Sequence, residues 1–134
     1  MKNLFLVITI SAISLTILSF TIKNNSKALS SNTDVTVYEV PADVQEIIDN
    51  SCYGCHNTDS KSTKSKMKLN FDDMSNLKQG KLVGKLHRIY NAVNDVDMPP
   101  KKFIDKYPDK ELSASDTETL KSWANNLMNK NGGL

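Results

Sequence analysis

The sequence predicts a small all-α domain of three to five short helices behind an apolar N-terminal segment. Three observations predict it. The chain has 134 residues, which suits one domain, since domains commonly run ~100–200 residues. Two segments repeat apolar residues at helical spacing: Leu82, Leu86, Ile89 and Val93, then Leu120, Trp123, Ala124 and Leu127. No βαβ pattern points to a parallel sheet. Hydrophobic residues make up 39% and charged residues 24%, which suits a packed core and excludes a collagen, a low-complexity polymer and a wholly disordered chain. A net charge of +2 is too small for a nucleic-acid-binding domain. Two cysteines cannot build a disulfide-dense scaffold.

After Lys2, residues 4–22 carry no charge, and their polar members are only Ser and Thr. Ser26-Lys27-Ala28 follows the small-x-small pattern of a cleavage site, so residues 1–28 read as a secretory signal with Leu29 as the mature N-terminus. The run exceeds the ~7–15 residues of a signal core and approaches the ~20 of a membrane-spanning helix. An uncleaved anchor over the same residues is therefore the alternative. Either reading exports the rest of the chain to the periplasm, soluble or tethered to the cytoplasmic membrane. Residues 29–40 are a polar linker ending in a short extended piece with Val35, Val37 and Tyr38, closed by Pro41. The predicted domain is 41–134.

Asp43 to Ser51 predicts a short helix with Val44, Ile47 and Ile48 on one face. Asp43 and Glu46 suit its N-terminal end. It leads directly into Cys52-Tyr53-Gly54-Cys55-His56. C-x-x-C-H is the attachment signature of a c-type haem. The chemistry explains the spacing: two thiols must reach the two vinyl groups of one porphyrin, and the adjacent His must ligate the iron from the same turn. Gly54, without a Cβ, lets the backbone lie close to the ring. Three other uses of these residues compete. A structural disulfide suits an oxidising compartment. A thioredoxin-like pair needs a βαβ context. A zinc site would join Cys52, Cys55 and His56 to a lone His87, whereas structural zinc ligands come as two separated pairs.

An iron held by His56 needs a sixth ligand, and the candidates are Met67, Met74, Met98, Met128 and His87. Met98 lies 42 residues beyond His56, in a loop, directly before Pro99-Pro100. The prolines stiffen the backbone and hold Met98 extended, a sound way to present a soft thioether to iron. Met98 is the expected ligand. His87 sits beside the apolar stripe of a helix over Leu82–Asn94 and reads as an exposed boundary residue. Met67 and Met74 fall in a polar region, and Met128 reads as core filler.

The remaining chain reads as packing. Asn57 to Lys68 predicts a polar, flexible loop, and Leu69 and Phe71 a short extended piece facing the core. Lys102 to Lys106 predicts a turn of helix with Phe103 and Tyr107 inward and Pro108 ending it. The last helix starts near Ser113, with a capping box through Asp116 or, two residues on, Ser115 with Glu118. Asn131-Gly132-Gly133 ends it. Trp123 reads as core packing.

In this order — short helix, Cys52-Tyr53-Gly54-Cys55-His56, middle helix, Met98-Pro99-Pro100, final helix with Leu120 and Trp123 — the chain resembles small exported haem-binding domains related to class I cytochromes c. The resemblance runs from about Asp43 to Met128. It implies a cytochrome c-like fold around one haem c, covalently attached at Cys52 and Cys55, with iron ligated by His56 and Met98. Such His/Met ligation fills both axial positions and leaves no site for substrate, so the expected function is one-electron transfer with transient redox partner proteins, by a monomer that is not an enzyme. A haem-based sensor or ligand binder, with a weak or displaceable Met98, is the alternative.

Charge is split along the chain. Residues 29–60 hold six acidic and no basic residues, whereas residues 61–88 hold eight basic and two acidic. A lysine-rich surface near the haem would steer a weak, transient redox partner; a solvated surface loop is the alternative reading.

Overall fold

The computed structural model describes residues 36–133. The signal or anchor over 1–28, its apolar run 4–22 and the first part of the linker lie outside the described residues. Among the described residues there are five α-helices: α1 (Ala42–Ser51), α2 (Thr63–Lys68), α3 (Gln79–Asn94), α4 (Lys101–Ile104) and α5 (Ala114–Lys130). Two 3₁₀ segments, Phe71–Asn76 and Pro108–Lys110, join them. Among the described residues there is no strand, so the domain is all-α. No helix among these residues is long and apolar enough to cross a membrane.

The core sits where α3 and α1 pack against α5. The stripe of α3 buries Leu82, Leu86, Ile89 and Val93, and α5 buries Leu120, Trp123, Ala124, Leu127 and Met128. Helix α1 adds Val44 and Ile48. Each of these large apolar side chains contributes roughly 1.5–3 kcal/mol of transfer free energy when fully buried. Helix α5 begins with a complete capping box: Ser113 Oγ accepts from the Asp116 N–H at 3.1 Å, and Asp116 Oδ2 accepts from the Ser113 N–H at 3.0 Å. It ends at Asn131, after which Gly132 takes φ = 69°, a left-handed conformation that suits glycine.

Residues 36–40 are pinned to this body. The Asn131 side chain accepts from the Val37 N–H at 3.0 Å and donates to the Val37 carbonyl at 2.8 Å. Trp123 Nε1 donates to the Glu39 carbonyl at 2.9 Å, and the Tyr38 ring meets Trp123 edge-on at 6.3 Å. Burial pushes the Tyr38 hydroxyl up to about 12.

Four expectations are corrected. The segment 57–68 is not all loop: Ser62 Oγ accepts from the Ser65 N–H at 3.3 Å and starts helix α2. Residues 71–76 form a 3₁₀ turn, because Asn70 caps it by accepting from the Asp72 N–H. Met74, within that polar stretch, is fully buried in the core. Tyr107 does not point inward; it is 40% exposed and packs on Phe103, ring centroids 5.0 Å apart.

Candidate functional site

The chain leaves α1 through bonds from the Cys52 and Tyr53 N–H groups to the Ile48 carbonyl, at 2.9 and 2.8 Å. The Cys55 and His56 N–H groups then turn back onto the Cys52 carbonyl at 3.1 and 3.2 Å. This tight turn sets Cys52, Cys55 and His56 along one cleft of about 610 Å³. Cofactor pockets typically span ~300–1,000 Å³. The walls are mostly apolar, with Ile48, Leu69, Phe71, Ile89, Phe103 and Leu120 among them.

Met98 lines the same cleft. Its loop folds back onto α3, where the Ala92 carbonyl accepts from the Asp97 and Met98 N–H groups at 2.9 and 3.2 Å. Val96 supports the bend with φ = 57°. The other sulfur candidates lie elsewhere: Met67 is 76% exposed, and Met74 and Met128 are buried in the core. His87 is exposed, outside the cleft, and pairs with Asn91.

The His56 ring is held by two backbone carbonyls. Nδ1 lies 3.2 Å from the Ser65 oxygen and 3.1 Å from the Leu69 oxygen. Both partners are acceptors, so Nδ1 carries the proton and the neutral ring keeps its lone pair on Nε2. Metal-ligating histidines characteristically donate their second N–H in this way, which fixes the tautomer and raises ligand basicity. The His56 carbonyl in turn accepts from the Phe71 N–H at 3.0 Å.

Both cysteines are free thiols. Burial pushes Cys52 up to about 11, and neighbouring Cys55 adds to it. Reactive redox cysteines show the reverse, a lowered value in an electropositive setting. Lys68, Lys85, Arg88 and Lys110 also line the cleft. Desolvation lowers the Lys85 ammonium, and the Arg88 charge lowers it further.

A family model described as a haem-binding domain matches residues 58–126. The chain belongs to the haem-binding domain family. The match begins just beyond His56 and covers α2, α3, the Met98 loop and most of α5. No curated protein and no solved structure matches the chain.

The residues of this haem-binding domain fit haem. Apolar walls suit the macrocycle, the His56 Nε2 lone pair and the Met98 thioether are both common iron donors, and four cations suit the propionates. Among the described residues, no cluster of three or more His, Cys, Asp or Glu is arranged to hold a metal ion on its own. The sequence did not reveal the Ser65 and Leu69 carbonyls or Lys85. Backbone acceptors have no side-chain signature, and Lys85 looks like any solvent-facing lysine on a helix.

Proposed function

We propose that this haem-binding domain is a one-electron carrier, a c-type cytochrome with one haem attached to Cys52 and Cys55. Each thiol would add across a vinyl C=C, sulfur to one carbon and hydrogen to the other, so no leaving group is needed. His56 Nε2 and Met98 Sδ are the proposed axial ligands. The observation that carries this reading is that Cys52, Cys55, His56 and Met98 line one apolar cleft while His56 Nδ1 donates to backbone.

Haem iron, when bound, supplies an Fe(III)/Fe(II) couple, and axial ligand choice spreads haem potentials over roughly 0.8 V. The protein's own part is to hold the ring, exclude water from its faces and orient His56. With both axial positions taken, no substrate reaches the iron, so the proposed role is a carrier rather than an enzyme. The likeness in motif order to class I cytochromes c supports this. The leader-like pattern of residues 1–28 supports export to the periplasm, cleaved or anchored. The basic stretch 61–88, which includes three of the four cleft cations, supports a transient redox partner with an acidic surface.

The test is the visible spectrum of periplasm-expressed protein in both redox states. Sharp reduced bands with a weak far-red band in the oxidised state are expected for His/Met ligation. A colourless protein refutes the haem reading. A reduced form that takes up carbon monoxide readily favours the sensor or ligand-binding role instead.

A further inference from the structure

Helix α2 borders His56, yet none of its residues is buried, so core packing does little to fix it. Its last turn nevertheless offers the Ser65 carbonyl, and the residue just beyond offers the Leu69 carbonyl, to the His56 Nδ1–H. The final carbonyls of a helix have no partner within the helix and need one from outside. Lys85, on α3, supplies it: its Nζ donates to the Met67 carbonyl at 3.4 Å and to the Lys68 carbonyl. Among the described residues, these are the hydrogen bonds that join α2 to α3. A cation at this end also complements the helix dipole.

We infer that Lys85 is a positioning residue for His56: its ammonium clamps the C-terminal carbonyls of α2 and so holds the Ser65 and Leu69 carbonyls where they accept the His56 Nδ1–H. The inference rests on the reading of His56 as the iron ligand. Lys85 need not touch the iron or the imidazole. It ties a surface element to the core helix α3, and that element holds the ring's orientation and tautomer. Lys81, four residues earlier on α3, is exposed and lies outside the cleft, so it serves as a charge control.

The test uses the full haem-loaded chain, reduced to its diamagnetic state, and follows exchange of the His56 Nδ1 proton with solvent by NMR. Lys85→Met is expected to speed exchange by ~10-fold, the scale of losing a hydrogen bond from a charged donor in a local opening. Lys85→Arg, which keeps charge and donors, retains slow exchange, and Lys81→Met matches the wild type. Lys85→Gln, with a shorter uncharged donor, gives the same direction of change if Lys85→Met fails to fold. Wild-type exchange in both Lys85→Met and Lys85→Gln, or equal acceleration in Lys81→Met, overturns the inference while leaving the haem reading intact. A wild-type chain without His-ligated haem overturns both.

Discussion

At His56 the tautomer follows from its surroundings, because two carbonyl acceptors at 3.2 and 3.1 Å force the proton onto Nδ1. That leaves Nε2 free for the iron bond proposed for it. Met98 is the counterpart, and it is the one methionine among the described residues that lines the cleft. Met98→Ala is therefore expected to remove the far-red band of the oxidised protein and open the iron to external ligands. An unchanged spectrum refutes the assignment. Asp72 offers a pH test. Its carboxylate accepts from the Thr58 N–H at 2.8 Å and from the Tyr53 hydroxyl at 2.7 Å, which holds it below the usual carboxylate range. A group depressed in the folded state stabilises above its unfolded value, near ~3.9, and loses that contribution as pH falls through the folded value. Thermal melts of Asp72→Asn should thus differ from wild type at neutral pH, and the difference should shrink as pH falls and the wild-type carboxylate takes up its proton.

Among the elements, α3 and α5 are legible in the sequence because each buries one continuous stripe, at Leu82, Leu86, Ile89 and Val93 and at Leu120, Trp123, Ala124 and Leu127. Helix α2 is not legible, since a six-residue helix with no buried side chain has no stripe to read. Met74 is hidden for a related reason: its polar neighbours Asp72, Asp73, Ser75 and Asn76 mask a residue that a 3₁₀ turn swings into the core. Of the site, the motif residues and Met98 can be named from sequence because their chemistry is in the side chain. The carbonyls that hold His56 cannot, because any residue offers one. The start of α5 carries its own prediction. Ser113→Ala removes both the acceptor for the Asp116 N–H and a 2.7 Å bond from its hydroxyl to Asp116 Oδ2. The expected loss is ~1 kcal/mol, measured by denaturant unfolding of the haem-loaded protein. A loss below ~0.3 kcal/mol would show that the cap is redundant.

For the whole molecule, the cleft of about 610 Å³ has mostly apolar walls and reaches the core residues Ile48, Ile89, Val93 and Leu120. Small domains bury a modest fraction of their surface, so the walls of this cleft are a substantial part of the apolar area available. A covalently held porphyrin would cover them and join α1, α3 and the Met98 loop through one body. The haem-free protein is accordingly expected to be poorly folded. Cys52→Ala/Cys55→Ala should lose much of its far-UV helical signal and its cooperative melt, and near-native values for both would count against a structural role for haem. The proposed function stands on a covalent bond between chain and haem. Intact mass under denaturing conditions, on protein expressed with the periplasmic haem-attachment machinery, reads it directly. The expected result is the polypeptide plus one haem, with the addition lost in Cys52→Ala/Cys55→Ala. A wild-type mass equal to the bare polypeptide would contradict it.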